Sequence, residues 1–445
     1  MRIAIVAAML MLSGCATYVP VPLASDSNAL EKPVASVLEQ SASAVERPWL
    51  KPVSIDLSKP LGLDAIATLA VANNPDLAAL RARRGVAQAQ VFAAGLLPDP
   101  TFSIGASKVA SGPDTMLDVS GALGFDLNAL RTRAVRRQGA VAQGEQVRLD
   151  LAWAEWQTAG QAKIQAVRIE QLQQIVSLAK KSRDSARSLL DRNERASARG
   201  DIAGDRLQAA RVAAFSADDT YNTAAQSLVT AQGDLRRLLG LRPDQPLALA
   251  PIPDIASPPP ASALFGLAEK NRTDLAALRE GYAAQEAAVH KAVLDQFPNL
   301  GLTLNSQRDS AGNLLLGPAV DFTLPLWNRN RGTIAVERAT RAALKAEYQA
   351  RLFQTRADIA AAEAGVRTAL QRKADALAGI DRIEHFAAAS RTAADRGDLS
   401  LEAAESAEQA LRDRQIQLAQ AQQDYDEQMI ALELLTGTPR EAWPQ

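Results

Sequence analysis

Apolar residues fall alternately three and four positions apart through one long stretch of this chain: Leu207, Ala210, Ala214, Ala217, Tyr221, Ala224, Leu228, Ala231, Leu235 and Leu238. This is an a/d seam sustained over about five heptads, and it predicts a helix wound against a second helix. The seam lies in a proline-free run from Asp114 to Arg242, and a second such run extends from Leu326 to Thr438. There Leu411, Leu418, Ala421, Tyr425, Leu432 and Leu435 rebuild it. Helices this long exceed what an ordinary globular domain uses.

Ahead of each long run the period changes to two. Phe102, Ile104 and Ala106 alternate with small polar residues, as do Leu117, Val119, Leu123, Phe125 and Leu127 beyond a turn at 111–114. Leu300, Leu302 and Leu304 repeat the pattern, followed by Leu314, Leu316, Val320, Phe322 and Leu324 after Asp309–Gly312. Each set predicts a β-hairpin with one apolar and one small polar face.

The two halves match element by element. Asp76-Leu-Ala-Ala-Leu-Arg81 recurs letter for letter as Asp274-Leu-Ala-Ala-Leu-Arg279, and the break Arg199-Gly200-Asp201 recurs as Arg396-Gly397-Asp398. A tandem duplication accounts for this. The chain then divides into a signal peptide (1–14), a tether (15–60), a first repeat (61–241, hairpin 101–127, corner 199–201), a proline-rich connector (242–261), a second repeat (262–438, hairpin 299–324, corner 396–398) and a tail (439–445). Long helices are expected from near Leu130 to Ala198 and from Arg331 to Asp395, each spanning about 100 Å. Each return helix should stack end to end on the shorter helix that precedes its hairpin. The fold class is mainly α with a small β part.

Composition narrows the function. A formal net charge of −1 argues against a nucleic-acid partner, because phosphate binding needs concentrated positive charge. Aromatics at 4% fit long alanine-rich helices better than a mixed α/β enzyme. Arg2 and the apolar stretch Ile3–Leu12 form a secretory signal too short for a permanent span. It ends in Leu12-Ser13-Gly14-Cys15, similar to the lipobox of bacterial lipoproteins, which makes Cys15 the lipid-attachment residue; the alternative is a plain signal with a chance cysteine.

Catalytic signatures are lacking. His290 and His385 are too far apart in sequence to form an i,i+4 metal pair, and no zinc-protease helix, phosphate-binding loop with lysine or Gly-x-Ser-x-Gly elbow occurs. No enzyme activity, metal or cofactor is expected.

Two hairpins give only four strands per chain. Strands with one lipid-facing side must close into a barrel, and single-chain barrels begin at about eight strands. Several copies are therefore implied, and alternation alone permits rings of two, three or four.

The order of helix, hairpin, long helix, glycine break and return helix, together with Val320-Asp-Phe-Thr-Leu-Pro325-Leu-Trp327-Asn-Arg-Asn-Arg-Gly332, resembles the TolC-like outer membrane efflux factors, and the lipobox resembles their lipoprotein branch. The resemblance implies a homotrimer with a twelve-stranded barrel and a twelve-helix periplasmic tunnel. It also implies a periplasmic adaptor (membrane fusion) protein and an inner-membrane pump of the resistance-nodulation-division type. The protein would sit in the outer membrane, lipid-anchored, and conduct drugs or metal ions passively. A type I protein secretion duct or a lipid-anchored coiled-coil scaffold are the alternatives.

Under that resemblance Arg199, Gly200, Asp201, Arg396, Gly397 and Asp398 form the adaptor-contact tip, and Asp201, Asp205, Glu402 and Glu405 are candidates for an acidic ring at the narrow end. Arg131, Arg133, Arg329 and Arg331 lie where strand passes into helix. They could meet anionic headgroups, although ordinary first-turn surface positions are the reading favoured here.

Overall fold

The computed structural model describes residues 18–23, 35–43, 45, 47–50, 53, 55–108, 110–111, 117–253, 257–309 and 311–444. Met1–Val34 and Ala35–Gln445 are separate units, and the described part of the first, residues 18–23, is exposed and has no regular secondary structure. Cys15 and the signal segment lie outside the described residues.

The first half of the second unit runs α1 (Ala35–Ser43), α2 (Leu63–Asn73), α3 (Pro75–Gly95), β1 (Thr101–Lys108), β2 (Leu117–Asp126), α4 (Leu127–Ala198) and α5 (Gly204–Leu238). The second half repeats the order from α2 onward with α6 (Ala261–Asn271), α7 (Thr273–Leu294), β3 (Leu300–Arg308), β4 (Leu314–Phe322), α8 (Arg331–Asp395) and α9 (Leu401–Thr436). The 72 residues of α4 reach about 110 Å and the 65 of α8 about 100 Å. α4 starts three residues before the expected Leu130, because the Asp126 carboxylate accepts from Ala129 N at 2.9 Å and caps the helix.

The seam is where the spacing places it. Ala210, Ala214, Ala224, Ala231, Leu235 and Leu238 are buried, and the other four seam positions are half-buried. In α9, Ala421, Tyr425 and Leu432 are buried.

Each return helix meets the start of the short helix that leads to its hairpin. Asn74 caps α3 through Leu77 N at 3.0 Å and donates to Leu238 O at 3.0 Å, at the end of α5. In the second repeat Arg272 reaches Leu435 O at 3.3 Å near the end of α9. These contacts join the stacked pairs that lie alongside α4 and α8.

α4 packs against α3 and α5 of its own repeat and against α7 and α9 of the other, while α8 packs against α6, α7 and α9. Seventeen residues of α4 are buried and eight of α8, so α8 lies at an open side of the helical layer. Phe353, 77% exposed, and Phe386, 64% exposed, stand on that open helix.

The four strands form one antiparallel sheet in the order β1-β2-β3-β4, with β1 and β4 as free edges. The register sets Phe102 opposite Leu123, Leu123 opposite Leu304, and Leu302 opposite Val320. The apolar alternating positions within the strands therefore share one face, while Leu127 begins α4 and Leu324 lies beyond β4. Ile104 and Leu316 on that face are 76% and 74% exposed. The other face joins its strands through Gln307 to Asp118 (3.0 Å) and Thr303 to Asp321 (3.1 Å).

Between residues 35 and 57, where the sequence reading expects an extended tether, several described residues are packed instead. Leu38, Ala42 and Ile55 enter a core with Leu69, Ala166, Leu235 and Leu239. Trp49 meets Trp156 edge-on at 5.0 Å between ring centroids, and Arg47 binds the buried Glu155 with contacts of 2.6 and 2.8 Å. Apolar residues spaced through this Pro-rich stretch provide the burial that holds it in place.

Candidate functional site

The first element of the site is the pair of corners where each long helix turns back. At the end of α4, Gly200 N donates to Ser197 O (2.9 Å) and Asp201 N to Ala196 O (2.9 Å). At the end of α8, Gly397 N donates to Ala394 O (3.0 Å) and Asp398 N to Ala393 O (2.9 Å). Both are Schellman closures, with Gly200 at φ 77° and Gly397 at φ 81°, conformations that glycine reaches without a Cβ penalty. Arg199 closes onto Asp201 at 2.7 Å, so the first corner consumes part of its own charge. The corners lie at the opposite ends of the long helices from the hairpins.

The four candidate acids do not share one environment. Asp201 pairs with Arg199, and Asp205 is exposed on the first turn of α5. Glu402 occupies the equivalent position in α9, since both acids lie five residues after the corner glycine. It accepts from Asn193 of α4 at 3.4 Å. Glu405 is the most heavily engaged: it accepts from Ser185 of α4 and lies 3.3 Å from Arg391 of α8 and 3.7 Å from Arg192 of α4. Arg391 also faces Glu408 at 3.7 Å. Glu402 and Glu405 line a cavity of about 630 Å³ among α4, α5 and α9, with Ser182, Ser216 and Arg412 on its wall. The structure thus brings the second-repeat acids into a junction of three helices and leaves the first-repeat acids outside it.

Arg192, Arg391, Asn193 and Ser185 were not expected from the sequence. One signal does exist: Arg391 and Glu405 lie six and eight residues either side of Gly397, positions that meet across an antiparallel corner. Arg192 and Ser185 come from the other repeat, and no local pattern marks them.

The second element is the junction of sheet and helices. Arg133 donates to Gly95 O at the end of α3. Arg131 reaches Leu294 O (3.2 Å) and Pro298 O (3.5 Å) beyond the end of α7. These side chains satisfy free carbonyls at helix C-termini, where positive charge is favoured. They are therefore engaged within the protein and are not idle first-turn surface. Asn330 does the same from the second repeat, donating to Ala292 O at 2.9 Å.

The third element is a cavity of about 850 Å³ midway along the helices, lined by Glu170 of α4, Lys373 of α8, Gln422 and Asp426 of α9, and Ile252 of the connector. Asp426 is 2% exposed and its Oδ1 has no hydrogen-bond partner. Burial pushes its carboxyl up to about 6, against the hydrogen bond from Gln422. Burial also raises Glu170, whose carboxylate accepts from Ile252 N at 3.2 Å.

No group of three or more metal-ligating side chains occurs among the described residues, and no helix among them is long and apolar enough to cross a membrane. The latter says nothing about strands.

Residues 264–438 match the family model described as outer membrane efflux protein. The matched residues lie within the second repeat and make up under half of the chain. No curated protein matches the chain by sequence. The fold is similar to that of the Campylobacter jejuni CmeC outer membrane channel, with a TM-score of 0.71 at 17% identity over 95% of this chain and 94% of that one. It is also similar to CusC, at TM-score 0.67 and 17% identity over 89% and 99%. The outer membrane protein VceC of Vibrio cholerae matches at TM-score 0.67 and 18% identity over 84% and 96%. These likenesses extend the fold of the efflux protein domain over both repeats, including the first, which lies outside the matched residues.

Proposed function

We propose that this chain is one subunit of the outer membrane exit duct of a tripartite efflux pump, passing drugs or metal ions from the periplasm to the exterior. The observation that carries this reading is the uncovered sheet. Four strands with two free edges, and an apolar face without cover, sit at one end of helices about 100 Å long. Such a sheet is completed by further copies and by lipid. Three copies supply twelve strands, the number the resemblance implies, and the exposed apolar residues of α3, α5 and α8 are available for the same contacts.

The duct is passive, so the protein requires no catalytic group. The two glycine corners are the point at which a periplasmic adaptor engages, linking the duct to an inner-membrane pump of the resistance-nodulation-division type. Cys15 carries a lipid that adds an anchor to the outer membrane.

Purified protein should run as a trimer by cross-linked mass and open ion-conducting pores in planar bilayers. A monomer that never conducts would sink the reading. Loss of the gene should sensitise the cell to drugs or metals, whereas loss of one secreted protein with normal tolerance would favour a type I secretion duct. Cys15→Ser should abolish incorporation of labelled palmitate.

A further inference from the structure

The two repeats pass from strand to helix in different ways. In the first, β2 ends at Asp126 and α4 begins at the next residue. In the second, β4 ends at Phe322 and α8 begins only at Arg331, leaving residues 323–330 as an extra loop with no counterpart.

That loop has a definite shape. Leu326 N donates to Leu324 O (2.9 Å), Arg331 N to Asn328 O (3.0 Å), and the Asn330 side chain to Ala292 O (2.9 Å). Arg329 and Asn330 are consecutive left-handed residues, at φ 47° and 55°, a conformation that L side chains adopt at an energetic cost. This held backbone presents Leu324, Leu326 and Trp327 outward at 60%, 62% and 92% exposure.

Arg329 and Arg331 are exposed beside them, and neither guanidinium has an ion-pair or hydrogen-bond partner among the described residues. The first repeat uses Arg131 and Arg133 as helix caps. The second leaves its pair unused at the same level.

An exposed tryptophan with two leucines suits the boundary between headgroups and acyl chains, and unpaired arginines suit phosphate oxygens. We propose that the 323–331 loop is a binding site for anionic phospholipid in the leaflet nearest the helices, with Trp327 at headgroup depth and Arg329 and Arg331 on the phosphate. The site rests on the membrane-duct reading above.

The test uses the full chain in phosphatidylethanolamine vesicles containing either phosphatidylglycerol or phosphatidylcholine, brominated near the top of the acyl chains. Subtracting the fluorescence of Trp327→Phe isolates the Trp327 signal. Brominated phosphatidylglycerol should remove more than half of it and act at lower mole fraction than brominated phosphatidylcholine. That preference should fall about five-fold in Arg329→Gln and about five-fold again when Arg331→Gln is added. An unquenched Trp327 would mean that the loop is buried between copies. Equal quenching by both lipids, unchanged in the arginine variants, would mean apolar contact without phosphate recognition. Either result overturns the site. Ion conductance of the same vesicles separates the two readings. Conducting vesicles with unquenched Trp327 remove the lipid site and leave the duct standing, whereas vesicles that never conduct remove both.

Discussion

Arg391 Nη1 on α8 lies 3.3 Å from Glu405 Oε1 on α9, and the same carboxylate faces Arg192 of α4 at 3.7 Å. Glu405 therefore ties three helices together just past the corner, and only its partly covered oxygens remain for other roles. Glu405→Ala should loosen the corner and raise single-channel conductance, and Arg391→Gln should do the same without additive effect in the double variant. The pairs are partly exposed, so the coupling in a stability cycle should be about 0.5–1 kcal/mol. If Glu405 instead acts as a fixed charge in the passage, Glu405→Ala will lower cation preference while Arg391→Gln leaves conductance unchanged. That pattern would refute the tie.

Glu155 on α4 is 1% exposed and receives Arg47 from the packed N-terminal segment and Arg81 from α3, at 2.6 and 2.9 Å. Burial pushes its carboxyl up, but the hydrogen bonds from Arg47 and Arg81 outweigh this and hold it below its ordinary 4.5. A lowered folded value stabilises above the unfolded value and is lost as pH falls through the folded one. Glu155→Gln should cost about 2–4 kcal/mol at pH 7. Thermal melts should show that gap closing as pH falls below 4.5 and through the lowered folded value. A gap that widens in acid would contradict the assignment.

Asp426 has the opposite sign. Its carboxyl, pushed from 3.8 to about 6 mainly by burial, favours folding in the protonated form. Its contribution is complete below 3.8 and lost as pH rises through about 6. Asp426→Asn should therefore stabilise the protein at pH 7.5, by about 1–3 kcal/mol, and leave its stability near pH 3.5 unchanged. The Tm difference between the two pH values measures this, and a less stable variant at pH 7.5 would disprove it.

Gly200 and Gly397 meet no atom within 4 Å of an added Cβ, so alanine there costs backbone conformation alone. Each change should weaken its corner by about 1 kcal/mol. Hydrogen exchange should rise at the amides of residues 200–201 or 397–398 and stay unchanged at Leu235 and Leu432. Unaltered exchange at the corner would show that alanine tolerates the turn.

Local periodicity, read from the sequence alone, determined the elements and their repetition. Three-four spacing marks the faces of α5 and α9, two-fold spacing marks the strands, and Gly200 and Gly397 mark the corners, because each depends on residues a few positions apart. Duplication made the order legible without any contact being known. Only the tertiary structure decided which polar groups meet. The identical hexads show why: Arg81 and Arg279 both donate to the carbonyl ten residues back, Val71 O at 2.5 Å and Glu269 O at 3.4 Å, but Arg81 also reaches the buried Glu155 at 2.9 Å. Asp274 is buried against Arg272 at 2.7 Å while Asp76 is exposed. The same letters acquire different surroundings because α3 packs beside α2 and α4, and α7 beside α4 and α8. Side chains separated by tens or hundreds of residues are brought together by helix packing, which spacing along the chain does not encode.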